Sequence, residues 1–318
     1  MKKLPIAVAA VAALAAGSAL AQSNVNIYGR MNVSVERQKA GGTSTTVMQN
    51  NASRIGFRGT EDLGGGLKAG FVLEHGFEAD TGSIQRDSYG NQRAFWARQS
   101  ELNLSGGFGM VRLGRYTSEA YFATADYVSM HNHDTGTSAD ALYAYLDRDF
   151  NKIAYRTPDL NGLTVEGAVS LREGTGEYTY DVAANYSLGA LALGAGYQKN
   201  GDANQFALRA MYTMGDFTFG GYIQRDEDGW GANLGDRTNV RLAGMYTLGA
   251  SEFHLNVGRA GDYSDVDDSA ATQFTVAYGY NLSKRTKAYA FYTKVSADSA
   301  NPYTGDLSSF ALGLRHNF

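Results

Sequence analysis

Cysteine is absent from the 318 residues. That removes a disulfide framework, a thiolate zinc site, an iron–sulfur cluster and a thiol nucleophile together. Past residue 22 no window approaches the ~20 consecutive apolar residues that a membrane-spanning helix needs, so a helical-bundle membrane protein is excluded. A strong excess of one charge is also missing. The formal charge is −4, and such a field does not suggest a nucleic-acid binder. What is plentiful is glycine, with 39 residues, and tyrosine, with 21. The glycines follow no three-residue period, which excludes collagen, and an aromatic content of 12% excludes a disordered chain.

The first segment reads as a targeting signal. Lys2 and Lys3 form a positive start, Leu4 to Ala16 an apolar stretch too short to cross a bilayer, and Ala19-Leu20-Ala21 a small-x-small cleavage site. Residues 1–21 are predicted to be removed after Ala21, which leaves 318 − 21 = 297 residues in one domain over 22–318. The mature protein is then expected outside the cytoplasm.

A period of two begins almost at once. Val25, Ile27, Gly29, Met31, Val33 and Val35 alternate with Asn26, Tyr28, Arg30, Asn32, Ser34 and Glu36. Such alternation predicts strand rather than helix. It recurs at 163–172, where Leu163, Val165 and Val169 alternate with Thr164, Glu166 and Ser170. It recurs again around Val240, Leu242 and Tyr246, and in the closing Phe310, Leu312, Leu314, His316 and Phe318. Sixteen strands are predicted: 25–36, 53–61, 67–79, 92–105, 109–116, 149–157, 163–172, 177–187, 190–199, 204–214, 216–225, 237–248, 251–260, 270–281, 285–296 and 307–318. Their length of about 10 residues exceeds the usual ~5–6 of globular strands and suits a tilted membrane strand.

Short Gly- and Asn/Asp-rich turns, such as Leu188-Gly189 and Gly215-Asp216, alternate with longer polar loops, such as Gln38–Ala52 and Asp80–Gln92. Short turns on one rim and long loops on the other describe an outer-membrane β-barrel. Aromatic residues near strand ends, among them Tyr28, Tyr155, Tyr278 and Tyr292, fit the girdles of such a barrel. A soluble sandwich would turn its apolar faces inward, whereas a large barrel in lipid turns them out and lines water with the polar faces. Alternation is compatible with both. The signal segment, the strand length, the even strand count and a last strand ending on Phe318 favour the barrel, and sixteen strands leave an aqueous channel.

Longer motifs carry a family resemblance over essentially the whole mature chain. They are Asn26-Ile27-Tyr28-Gly29-Arg30, the hairpin from Ser53 to Ala69, Phe108-Gly109-Met110-Val111-Arg112-Leu113-Gly114-Arg115, the run from Tyr278 to Thr286, and the closing Gly313-Leu314-Arg315-His316-Asn317-Phe318. In this order and spacing the chain resembles a Gram-negative general (non-specific) porin, most like the trimeric sixteen-stranded β-proteobacterial type. One departure is Phe95–Leu102, which is polar and irregular for the fourth strand.

The resemblance implies a homotrimer of separate pores in the outer membrane, surrounded by lipid and lipopolysaccharide. It implies a third loop folded inward to narrow each pore. The connection from Tyr116 to Arg148 is the longest in the chain and suits that role, with a short helix expected near Ala139–Leu146. By the same resemblance Arg30, Arg54, Arg93 and Arg148 match the basic wall of a porin eyelet, and Asp126 and Asp134 of the third loop would form the acidic wall. Arg58, Lys68, Arg112, Arg115, Lys152 and Arg156 are further lumen candidates. Phe318 would be the C-terminal assembly signal read by the barrel-assembly machinery. Opposed rows of charge set a transverse field across a wet gap, and crowded guanidinium groups remain charged.

The expected function is passive diffusion of small hydrophilic solutes and ions, without catalysis or cofactor. Lumen arginines favour anions while the loops and net charge favour cations, and the balance leans to anions. A substrate-selective channel on the same barrel would need an aromatic slide, and none is clear on the polar parity. An outer-membrane enzyme or a soluble secreted β protein stands as the alternative of another class. No nucleophile-elbow motif is present. His131-Asn132-His133-Asp134 reads as loop rather than metal site, and Asp265-Val266-Asp267-Asp268 lacks calcium-loop spacing.

Overall fold

A computed structural model describes residues 24–86, 91–126, 128, 131, 136–146, 149–174 and 176–318. The signal segment, Asp134 and Arg148 lie outside the described residues.

The strands are β1 Asn24–Ala40, β2 Thr43–Asn50, β3 Arg54–Gly64, β4 Leu67–Gly76, β5 Gln99–Gly106, β6 Gly109–Arg115, β7 Lys152–Arg156, β8 Leu163–Ser170 and β9 Thr179–Leu188. They continue as β10 Leu191–Asn200, β11 Ala203–Met214, β12 Phe217–Glu227, β13 Asp236–Leu248, β14 Ser251–Ala260, β15 Ala271–Asn281, β16 Thr286–Ala297 and β17 Leu307–Asn317. All pairings are antiparallel, and β1 closes the ring on β17 from Arg30↔Asn317 to Ala40↔Leu307. β2 and β3 both pair with β1, in succession, so they are two segments of one barrel strand. Seventeen strands therefore make a sixteen-stranded antiparallel barrel. Closure leaves no unpaired edge, which is the condition for a sheet to sit in hydrocarbon.

The break between β2 and β3 has a local cause. Asn51 is turned inward, where its Nδ2 donates to Ser34 Oγ at 2.8 Å and Tyr289 Oη at 3.0 Å. Ala52 follows with a positive φ of 52°. Ahead of that break the expected loop Gln38–Ala52 is mostly strand. β1 runs on to Ala40, Gly41 and Gly42 turn with φ of 52° and 81°, and β2 returns beside it. Two consecutive positive φ angles make the tight hairpin turn that glycine accommodates without strain. The Ser/Thr-rich run reads as loop by polarity, yet every residue of it pairs.

Burial is inverted relative to a soluble protein. Ile27 is 64% exposed and Leu242 65%, while Glu36 and Arg241 are fully buried. The apolar parity faces outward along every long strand, and polar side chains pack inside around the connection between β6 and β7. That connection holds α1, Glu119–Thr124, which starts at Ser118 with its Oγ accepting from Ala120 N at 3.1 Å. α1 packs inside the barrel on β9, β10 and β11. It can do so because Gly194 and Gly196 bare the backbone of β10. A Cβ at Gly194 would lie 1.8 Å from the Ala123 carbonyl oxygen, and one at Gly196 2.7 Å from that of Ala120.

The helix expected near Ala139–Leu146 does not form. This stretch lies non-helical along the inner wall because wall side chains satisfy its backbone. Gln273 donates Nε2 to Ala139 O at 2.8 Å and accepts from Ala141 N at 3.0 Å. Gln224 grips Ala144 in the same two-handed way, both bonds at 2.9 Å. Side-chain amides take the place of the next strand's peptide groups.

Candidate pore constriction

The loop between β6 and β7 crosses the lumen and is tied down on the far wall. Arg237 of β13 donates Nη2 to Leu142 O at 2.6 Å and Nε to Asp226 Oδ1 at 2.9 Å. Arg241 of β13 reaches Asp140 Oδ1 at 2.7 Å, and Tyr222 donates its hydroxyl to Asp140 Oδ2 at 2.5 Å. Gln38 of β1 donates Nε2 to Thr137 Oγ1 at 3.2 Å. The loop is thereby held at both sides of the barrel rather than left above its mouth.

Two of the expected basic residues meet. Arg30 of β1 and Arg54 of β3 are directly opposite in register. Like charges in that relation repel, so partners are needed. Arg30 Nε donates to Asn317 Oδ1 at 3.1 Å, and Arg54 Nε to Ala52 O at 3.0 Å. Glu74 of β4 lies 3.9 Å from Arg54 Nη1 and 2.6 Å from Arg98 Nε. Two guanidinium groups thus share one carboxylate, and a third, Arg30, stands in register with Arg54.

Arg98 belongs to this cluster and was not expected there. Arg93, assigned by parity to the fourth strand, instead lies exposed in irregular chain ahead of β5, with its amide donating to Gln85 O at 2.9 Å. β5 begins only at Gln99 because Phe95 and Trp96 leave the ladder and pack on His75, with Phe95 stacked at 4.0 Å between ring centroids. The irregularity of Phe95–Leu102 was the one sign that parity should not be carried back to residue 93.

The other candidates divide by environment. Arg58 and Lys68 line a cleft of about 490 Å³ with Asn26 and Asn103 near the short-turn rim. Arg115 donates Nε to Ala97 O at 2.5 Å. Arg112 is buried between Glu101 at 2.8 Å and Glu166 at 3.0 Å, with its guanidinium 4.0 Å above the Tyr116 ring. Arg156 pairs with Glu166 at 2.8 Å and with Glu119. Lys152 is buried between Asp149 and Asp181, each at 3.5 Å. These last three cations share one side of the barrel with five carboxylates: Glu101, Glu119, Asp149, Glu166 and Asp181. Burial raises the Glu119 carboxyl above its usual range, and the neighbouring Arg156 opposes that rise.

Asp126, expected to face the passage, is 2% exposed and so withdrawn from water within the loop. Its position two residues past α1 turns it toward protein, a packing detail without a sequence signal. Among the described residues of the loop, Glu119 lines a cleft of about 400 Å³ with Arg156, Asn185 and Arg209. The wall is therefore asymmetric. Cations outnumber acids around Arg30, Arg54 and Arg98, whereas the buried side holding Arg112, Arg156 and Lys152 carries five carboxylates.

This architecture matches known proteins along its length. A family model described as Gram-negative porin matches residues 7–300. Outer membrane porin protein 32 of Delftia acidovorans is 34% identical, with all of both chains covered. Outer membrane protein U of Vibrio parahaemolyticus is 27% identical over 85% of each chain. Among solved structures, an anion-selective porin from Comamonas acidovorans superposes with a TM-score of 0.77 at 26% identity, covering 93% of this chain and 100% of that one. Salmonella typhi OmpF shares the fold, with a TM-score of 0.72 at 15% identity over 92% of this chain and 97% of its own. With a polar interior enclosed by a sixteen-stranded ring and a loop laid across it, the chain belongs to the Gram-negative porin family, the outer-membrane channels for passive diffusion.

Proposed function

We propose that this porin works as a homotrimer of anion-preferring pores for small hydrophilic solutes, each narrowed by the loop between β6 and β7. The supporting observation is the juxtaposition of Arg30 and Arg54 in register, with Arg98 on the same carboxylate. An anion entering that cluster meets more positive than negative charge, while a cation meets repulsion before it reaches Glu74. The side that carries Glu101, Glu119, Asp149, Glu166 and Asp181 supplies the opposite pole, so a dipolar solute is turned as it passes. Arg148 and Asp134 remain proposed members of the basic and acidic rows. The Comamonas porin is anion-selective, and the same preference is proposed for this chain.

Trimer formation, contact with lipopolysaccharide and recognition of Phe318 by the assembly machinery belong to the same reading. Phe318 exchanges backbone bonds with Gly29, at 3.0 and 3.1 Å, and so ends the chain on the seam of the barrel.

The test is a planar-bilayer reversal potential in a salt gradient. Wild type is expected to show anion preference. Neutralising Arg30, Arg54 and Arg98 to Gln is expected to shift the potential toward cations by tens of millivolts, since zero-current potential tracks the permeability ratio. An unchanged potential in the triple variant would remove the cluster from the selectivity site.

A further inference from the structure

Three of the long loops on the outer side of the barrel are joined to one another. Asp265 N donates to Leu234 O at 3.1 Å and Ser264 N to Asp236 O at 2.9 Å, which ties the β14–β15 loop to the β12–β13 loop and the start of β13. Ala300 N donates to Asp268 O at 2.9 Å and Asn301 Nδ2 to Ala270 O at 3.2 Å, which ties the β16–β17 loop to the β14–β15 loop.

Each of these loops sends one aromatic ring to the same place. Trp230 of the first stacks on Tyr303 of the third, with 5.3 Å between ring centroids, and Tyr303 meets Tyr263 of the second edge-on at 6.4 Å. Beneath the rings lies Arg237, its guanidinium 4.2 Å from the centroid of Tyr303 and 5.0 Å from that of Tyr263. Water access falls along this series. Trp230 is 41% exposed, whereas Tyr263 and the Arg237 side chain are buried.

The same guanidinium holds the lumen loop through its bond to Leu142 O. The Leu142 side chain is buried with Ala260 and Ala271, and Tyr303 packs against that cluster. The β12–β13 loop touches the lumen loop as well, since a Cβ on Gly229 would lie 2.7 Å from Ala144 Cβ. Asp226 supplies the carboxylate for Arg237, and its Oδ2 accepts from the Tyr263 hydroxyl at 2.6 Å. Arg237 Nη1 and Tyr303 Oη are buried without a hydrogen-bond partner among the described residues. A guanidinium with an open donor bonds its protein partners firmly only while water is kept from it, because water competes for every donor. The rings exclude that water and stabilise the charge through their faces. The wall residues Gln224 and Gln273 hold their part of the lumen loop from strands, whereas Arg237 depends on rings that the outer loops carry.

We propose that Tyr303 is a positioning residue for the pore constriction. From an outer loop it closes Arg237 off from water and so holds Leu142 against the far wall, and displacement of the Trp230–Tyr303 stack is passed to the lumen loop through Arg237. This rests on the reading above in which the lumen loop narrows the pore, and it adds what sets that loop's position.

The experiment uses the full folded porin in detergent. The chain has no cysteine, so one introduced thiol reports alone. Ala141→Cys, half-buried beside Leu142, reports on the lumen loop, and Thr164→Cys, half-buried on the lumen face of β8, reports on the wall. Reaction with a small charged methanethiosulfonate is followed as mass gain over time. Adding Tyr303→Leu is expected to speed reaction at Ala141→Cys about tenfold, the factor that a face-on cation contact in a dry site is worth. Tyr303→Phe keeps the ring and is expected to leave the rate within about twofold. The rate at Thr164→Cys is expected to stay the same throughout. Equal rates at Ala141→Cys with and without Tyr303→Leu would overturn the proposal. So would Tyr303→Phe matching Tyr303→Leu, or a parallel rise at Thr164→Cys, which would mark general loosening. If Tyr303→Leu does not fold, Trp230→Leu strips the outer ring instead; a faster reaction at Ala141→Cys alone supports the proposal and an unchanged rate overturns it. Bilayer current through the modified Ala141→Cys porin separates the two readings. Mass gain depends on loop position alone, whereas modification that leaves the current unchanged would count against the narrowing role and not against Tyr303.

Discussion

Arg241 and Asp140 are 101 residues apart in sequence and 2.7 Å apart in space, and their bond fastens the lumen loop to β13. Neither side chain has much access to water, with side-chain exposures of 1% and 8%. Tyr222 takes the second carboxylate oxygen, and Gln273 accepts from Arg241 Nη2 at 2.6 Å. A charged pair this enclosed is stable only while complete. Arg241→Ala is therefore expected to release the loop and to destabilise the barrel by about 3–5 kcal/mol. Single-channel records should show broader, noisier conductance levels, and the unfolding midpoint should fall. Quiet wild-type-like steps from Arg241→Ala would mean that the bond does not hold the loop.

The closeness of α1 to β10 gives a second expectation. Gly194→Ala places a methyl group where the Ala123 carbonyl now sits, so either α1 or β10 must move. Overpacking of this kind is typically worth about 1–3 kcal/mol. Gly167→Ala provides a control, because a Cβ there would meet nothing within 4 Å. The pair should differ in conductance and in thermal stability. Equal behaviour would show that α1 does not rest on bare backbone.

The hydrogen-ion response of the loop should be set by His131. This histidine is buried against His254, Tyr289 and Phe291, with Ser138 Oγ 3.0 Å from Nε2. Burial holds its pKa well below 6.5, and His254, Arg315 and Lys287 push the same way, while Glu252 opposes them. The released loop would bind a proton more readily than the docked one. Docking is thus expected to weaken as pH falls below about 6.5 and to level off below the docked value. His131→Phe should flatten this part of the pH profile of the unfolding midpoint. A profile unchanged by that substitution would assign the acid response to other groups.

Arg112 provides a test of interior charge against lining charge. It was grouped with the lumen candidates, yet it is enclosed by Glu101, Glu166 and Tyr116. Arg112→Met would strand both carboxylates. A loss of about 3–5 kcal/mol is expected. The double change Arg112→Met with Glu166→Gln should recover part of that loss. If the single variant melts like wild type while the reversal potential moves, Arg112 faces the water path after all.

Strand positions and facing directions were legible because both follow from a period of two. The parity of Arg30 and Arg54 was readable for the same reason, and β3 places them opposite one another on β1. Parity failed at Arg93 because it carries no information once the chain leaves the ladder, and Phe95 and Trp96 leave it to pack on His75, face-on and edge-on respectively. It could not find Arg98, which reaches Glu74 from irregular chain. Inside the lumen loop, Ala139–Leu146 has helix-forming composition, but Gln224 and Gln273 claim its peptide groups from strands far away in sequence. Such partners are invisible in local pattern. Asp126 failed for a related reason, since its burial depends on how α1 settles against glycines 68 and 70 positions later.

The reciprocal bonds between Gly29 and Phe318 join nearly the two extremes of the described chain. Until the final strand docks, β1 offers a long row of vacant peptide groups with nothing in hydrocarbon to satisfy them. Insertion of this ring into a bilayer is thus an event for a finished polypeptide, and any helper that guides it must shield the first strand until the last one arrives.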